Sequence, residues 1–342
     1  MIAVRKMKAA PGLDVTTAKI PKIDKKDVLV KVRACSICGS DVHIYNWEPP
    51  LSERVKPPRT LGHEVTGEIV EVGKDVKNVQ IGDYVSLESH IACGNCHQCN
   101  NGKPHICETM KILGIDIDGG YAEYVSIPAV NAWKISKDMP PEIATVLEPM
   151  GNSVYTVVSG DVKGKVVTIF GCGPTGLFAV GLSKALGAKK IIAIDRKKFR
   201  LDLAKKMGAD LVINGDEENA IKEILDATDG LGADVFLEMS GSIIAIEQGF
   251  KSLKAGGRVV ALGLPSEPVK LDWSKDIVQK LVSIQGIFGR EMFKTWHEMS
   301  HILASGKLDI SPIITHKFKL KDFDKAIQIA KSGDAGKVVL FP

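Results

Sequence analysis

A glycine-rich turn, Gly171-Cys172-Gly173-Pro174-Thr175-Gly176, lies between the apolar run 166–170 and a stretch that keeps helical spacing over 173–186. That placement confines the fold more than any other segment. The first glycine permits a tight turn out of a strand. The second lets backbone approach a ligand, and the third lets the helix lie against the strand. Amides at the helix start then face a site suited to phosphate. The next apolar run leads to Asp195, 19 residues beyond Gly176, where a carboxylate can accept from both ribose hydroxyls. Strand, turn, helix and acid together predict a dinucleotide site. The charge of Asp195 repels a 2′-phosphate and favours NAD; Arg196 and Lys197 beside it keep NADP open.

The segments around this turn alternate. Strand patterns at 166–170, 190–194, 211–213, 235–238, 258–262 and 283–286 are separated by helical patterns at 173–186, 198–207, 217–226, 243–253 and 276–280. Such alternation predicts an α/β domain with a doubly wound parallel sheet, assigned here to residues 151–289. Residues 1–150 have another texture: short alternating strands such as 28–34 and 65–72, broken by Gly and Asp-Gly turns. Pro140 and Pro141 open a helical segment that leads toward the second domain. Helices at 293–305 and 323–332 and a strand at 337–341 close the chain, and 290–342 is expected to return to the β-rich domain. With 342 residues, two domains are the default.

Cys93, Cys96, Cys99 and Cys107 form a C-x2-C-x2-C-x7-C run in a polar, Gly-rich connection. Four soft thiolates at this spacing suit a closed tetrahedral zinc site that holds structure and does no chemistry. An iron–sulfur cluster uses related runs, but no Pro follows the last cysteine and the final gap is long. Disulfides are disfavoured because 1–12 lacks the apolar core of a secretory signal, so a cytoplasmic protein with reduced thiols is expected. Cys35 and Cys172 sit in or beside apolar strand patterns and read as core. The net charge is +4 and no basic block stands out, so no nucleic-acid partner is indicated. The longest uncharged stretch, 166–182, carries four glycines and a proline, which argues against a membrane span.

A second ligand set lies in the same half. Cys38-Gly39-Ser40-Asp41-x-His43 and Gly62-His63-Glu64 supply a thiolate, imidazoles and carboxylates, and Glu148 adds a carboxylate just before the dinucleotide domain. Three protein ligands with an open fourth position are what a catalytic zinc needs. Hydride leaves an alkoxide readily and an alcohol poorly. Zinc lowers the pKa of bound water from about 15.7 to about 7. At about 1.4 kcal/mol per unit, a comparable drop for an alcohol is worth roughly 12 kcal/mol. A base alone contributes about 10²–10⁴-fold. The metal therefore carries the activation.

The motifs at 38–41, 62–64 and 171–176, with the cysteine run, resemble those of the zinc-dependent medium-chain alcohol dehydrogenases, and the resemblance spans the whole chain. It implies a GroES-like fold for the β-rich domain and two zinc ions per chain. Cys38, His63 and Glu148 would bind the catalytic ion, and Glu64 would be a fourth ligand or a nearby switching carboxylate. Asp41 would orient His63, and Ser40 and His43 would relay the alcohol proton. Cofactor contacts are expected at Gly171, Gly173, Pro174, Thr175, Gly176, Asp195, Arg196, Arg200, Leu262 and Phe288. Segments 41–47, 89–94, 289–296 and 308–318 are similar to those of the family's threonine-oxidising members; generic polyol dehydrogenases share only the zinc motifs. The implied reaction is NAD-dependent oxidation of the L-threonine 3-hydroxyl to 2-amino-3-oxobutanoate. Arg290 would meet the substrate carboxylate, and His90 or Glu64 the amine. A homotetramer is implied as well. The alternatives are a polyol or 2,3-butanediol dehydrogenase with the same zinc mechanism, and a non-catalytic binding module.

Overall fold

The computed structural model describes residues 1–342 as two compact units, Met1–Pro149 with Ile314–Pro342, and Met150–Ile313. The sequence reading sets the second boundary at 290; in the structure the second unit runs on to Ile313 and includes the helix Lys294–Ala304. That helix buries Thr295, Trp296 and Met299, an apolar stripe at helical spacing.

In the first unit the long strand Asp27–Ser36 is the hub. Lys31 and Arg33 are exposed while Val30, Val32 and Ala34 between and beside them are buried, the period-2 pattern of a sheet with one wet face. It pairs antiparallel with Glu64–Val72 and with the C-terminal strand Lys337–Phe341. The register sets Ser36 opposite both Glu64 and Val339, which brings the chain's two ends to one spot. Val4, Val30, Val65, Ile69, Tyr121, Phe323 and Leu340 belong to the core beneath.

The second unit carries the expected doubly wound sheet. Its strands lie in the spatial order Leu211–Asn214, Lys190–Asp195, Val166–Phe170, Ala233–Glu238, Leu253–Ala261, Ser283–Gly286, and all are parallel. The order reverses between Val166–Phe170 and Ala233–Glu238, so the glycine turn after Phe170 stands at the switch point where ligands bind in such sheets. The central strands read as unbroken apolar runs because helices cover both faces. Two local differences from the sequence reading have plain causes. Gly256 at φ +73 carries the chain through a bulge, so the strand expected at 258–262 begins at Leu253. Asp272 accepts from the Lys275 amide and starts a π-type turn, Trp273–Val278, ahead of the helix expected at 276–280. Cys35 and Cys172 are fully buried, as core residues. No helix is long and apolar enough to cross a membrane.

Candidate metal and dinucleotide sites

Cys38 leaves the end of strand Asp27–Ser36 and caps the helix Gly39–Asn46. The cap fixes the site. Asp41, in the first turn, accepts from the Cys38 amide (2.9 Å) and from the Tyr121 hydroxyl (2.6 Å). Its other oxygen stands 3.8 Å from His63 Nδ1. His63 follows Gly62, whose φ of +91 requires glycine, and a Cβ there would strike the Tyr121 ring. Cys38, His63 and Glu64 offer ligand atoms that all lie within 4.8 Å of one another. Ser40 Oγ is 3.5 Å from His63 Nε2.

Glu148 begins the helix Leu147–Gly160, is buried, and accepts from the Ser89 hydroxyl. It does not join the close group of three, yet its charge acts on both His63 and Lys337. Glu64 is held differently. Lys337 Nζ donates to both of its oxygens and to the Ile37 carbonyl (3.1 Å), and the Ser36 hydroxyl donates to the same carboxylate.

The electrostatics ask for a cation. Burial opposes protonation of His63, but Asp41 and then Cys38 outweigh it and lift its pKa to about 10. Burial likewise opposes the charge on Lys337, and Glu64, Cys38 and Glu148 reverse the balance and raise it. His63 Nδ1 and Asp41 Oδ1 are buried without a hydrogen-bond partner. A thiolate, an imidazole and carboxylates around this excess of negative charge fit a zinc ion.

The ion pair gives a direct test. Lys337 and Glu64 are 2% and 0% exposed. Lys337→Met leaves a buried carboxylate uncompensated and is expected to cost about 3–5 kcal/mol. Adding Glu64→Gln should recover more than half of that in denaturant titrations. A loss below about 1 kcal/mol, the value of an exposed pair, would contradict the burial argument.

The cysteine lobe closes as the spacing predicts. All four cysteines are unpaired thiols whose Sγ atoms lie within 4.8 Å of one another, and Cys96 and Cys107 sulfurs are 3.9 Å apart. Four sulfurs at ~2.3 Å from one zinc are ~3.8 Å apart, so the thiols lie close enough together to serve one ion. A cluster would spread its thiolates over several irons.

In the second unit, Gly171 adopts φ +94 with Ser240 packed against it, and a Cβ on Gly176 would run into the Gly171 carbonyl. Gly173, which caps the helix Pro174–Ala185, has open space where a Cβ would be. The three glycines thus take the parts the motif assigns, and the open cradle fits a pyrophosphate. Asp195 ends its strand with Oδ2 accepting from the Cys172 amide (2.7 Å) and Oδ1 from the amides of Arg196 and Lys197. Arg196 pairs with Asp216 (2.7 Å), and Arg200 stands 3.9 Å from Asp195. The Leu262 amide donates to the Glu238 carbonyl, and Phe288 is half exposed. Arg290 is buried and donates to Asn152 Oδ1 (3.0 Å), with its stem against Gly151. His90 is buried in the first unit, where its amide donates to Glu88.

Several positioning residues escape the sequence reading. Tyr121, Ser36 and Lys337 lie outside every motif, and Ser89 sits in the 89–94 segment with no role assigned to it; only the folded chain brings them to the candidate ligands.

Residues 24–137 match the alcohol dehydrogenase GroES-like domain, and residues 174–305 match the zinc-binding dehydrogenase domain. The chain belongs to this zinc-binding alcohol dehydrogenase family. It is 49% identical to the L-threonine 3-dehydrogenase of Bacillus licheniformis over 342 residues, 100% of this chain and 99% of that one. Among solved structures, an Escherichia coli CFT073 alcohol dehydrogenase complexed with NADH superposes with a TM-score of 0.91 at 29% identity, covering 100% of this chain and 99% of that one. The 2R,3R-butanediol dehydrogenase of Bacillus subtilis does so with 0.87 at 28% identity over the same shares.

Proposed function

We propose that this chain is an NAD-dependent zinc oxidoreductase that oxidises the 3-hydroxyl of L-threonine to 2-amino-3-oxobutanoate. The observation that carries the reading is the full-length identity to an L-threonine 3-dehydrogenase, well above that to the butanediol enzyme. A non-catalytic module is disfavoured because half-buried Cys38 and buried His63 stay together beside two buried carboxylates.

Cys38, His63 and Glu148 would hold the catalytic zinc, and the four cysteines of the lobe a structural one. Bound there, zinc would supply a Lewis acid that acidifies a hydroxyl, and NAD the hydride acceptor. Glu64 stays a neighbouring carboxylate, because Lys337 and Ser36 already engage it. Asp41, anchored by Tyr121 and the Cys38 amide, keeps the His63 ring in place. Ser40, against His63, takes the proton that the hydroxyl loses, and His43 on the same helix passes it to solvent. In the second unit, the turn at Gly171, Gly173, Pro174, Thr175 and Gly176 would cradle the pyrophosphate and Asp195 accept from the ribose. Arg290 and His90 are the substrate contacts proposed for the carboxylate and the amine. A homotetramer in the cytoplasm fits the same reading.

A substrate panel tests it. L-Threonine should give a kcat/KM with NAD well above that for 2,3-butanediol and sorbitol; faster turnover of a simple diol would favour the polyol reading. Cofactor choice has its own check. Asp195→Gly removes charge-assisted hydrogen bonds worth about 1.5–3 kcal/mol. The kcat/KM for NAD should fall about 10–100-fold, while NADP gains relative to it. An unchanged ratio would remove Asp195 from the ribose site.

A further inference from the structure

His43 does not stand alone at the end of its helix. The chain leaves the helix Gly39–Asn46 through Trp47, which holds φ +63. A bulky residue adopts that conformation only when its surroundings enforce it. Here Lys6 Nζ lies 4.9 Å from the Trp47 ring centroid, and the ring packs on the core. The left-handed residue folds the chain back, so that the Glu48 amide donates to the His43 carbonyl (2.9 Å). Glu48 Oε2 then meets His43 Nδ1 at 2.6 Å, and Oε1 accepts from Asn46 Nδ2 at 3.0 Å. A carboxylate braced on one oxygen and aimed at a ring nitrogen with the other is an orienting arrangement.

We propose that Glu48 is the positioning residue of the proton exit: it accepts the Nδ1 hydrogen of His43 and so leaves Nε2 bare to take up the proton that leaves the substrate. The inference rests on the role given to His43 above and deepens it. In the neutral ring one nitrogen donates and the other accepts, and a partner on one fixes the state of the other. The proton balance is simple. An N–H bond forms at Nε2 as the substrate proton arrives, the Nδ1 hydrogen stays with Glu48, and the imidazolium gives the Nε2 proton to water.

Two basic groups face Glu48 from the elements around it. His43 lies on its own helix, and Lys331 on the helix Phe323–Ser332, where Lys331 Nζ also sits 4.9 Å from the Tyr45 ring centroid. The hydrogen bonds from His43 and then Asn46, with the charges of His43 and Lys331, hold the Glu48 carboxyl below its usual range. Glu48 is therefore an ionised acceptor at neutral pH.

The test reads His43 itself. In the full chain labelled with ¹⁵N-histidine, wild type should show the Nδ1-protonated tautomer. Glu48→Ala should release that tautomer, and Glu48→Gln, which keeps an acceptor, should hold it. For Glu48→Ala the plateau kcat should fall by about tenfold, part of the 10²–10⁴ a positioned base supplies. An unchanged tautomer in Glu48→Ala would overturn the proposal, whatever substrate the enzyme takes. Failure of wild type to oxidise threonine, with the tautomer as expected, would overturn the functional reading and leave Glu48 in place.

Discussion

Replacing Cys38 by serine is expected to abolish alcohol oxidation while the fold survives. Cys38 would supply the soft donor of the proposed ligand set, at the cap of a helix whose Asp41–Tyr121 brace does not depend on sulfur chemistry. Lewis-acid stabilisation is worth several kcal/mol, and each ~1.4 kcal/mol is a factor of ten, so kcat should drop about 10³-fold or more. Metal content should fall from two ions per chain to one, with an unchanged circular dichroism spectrum. A variant that keeps a tenth of wild-type turnover would mean that the Cys38 pocket is not where the hydroxyl is activated.

Cys107→Ser should do the reverse, sparing the catalytic ligands and breaking the structure around the lobe. The lobe holds little of its own: a four-residue helical turn, His97–Asn100, with no buried residue, a 3-10 turn, Pro104–Ile106, that buries only His105, and the two-strand pair His90–Ile91 with Lys111–Ile112. Cys107 is its buried member, and its sulfur accepts from the Cys93 amide. Structural zinc in small domains contributes roughly 10–16 kcal/mol at neutral pH, comparable with the whole ~5–15 kcal/mol stability of a domain. The variant should lose one metal, melt at a markedly lower temperature and become open to proteases between residues 93 and 107. A wild-type melting curve with the lobe protected would show that the four thiols hold nothing together.

The four-sulfur lobe is legible from its spacing, and the four thiols do converge; the mixed set around Cys38 is implied by the family resemblance instead, because its members are far apart in sequence. The sheet of the second unit was legible for a related reason: buried parallel strands write themselves as unbroken apolar runs, and the glycine turn marks which strand comes first. What the sequence could not show is pairing between its ends. Lys337 lies 273 residues from Glu64, and no local pattern announces that the last strand settles beside Ser36. Glu48 escaped for another reason, since nothing in its neighbours signals that Trp47 will turn left-handed. The boundary at 290 rested on the end of the strand pattern, whereas the second unit continues through a helix that packs on its own side.

Anomalous diffraction at the zinc edge, on crystals of the purified chain, puts the central claim to its most direct trial. Two peaks per chain are predicted, one enclosed by Cys93, Cys96, Cys99 and Cys107, the other bound by Cys38, His63 and Glu148 with Glu64 still on Lys337. A single peak in the cysteine lobe, or a second ion that takes Glu64 in place of Glu148, would contradict the account.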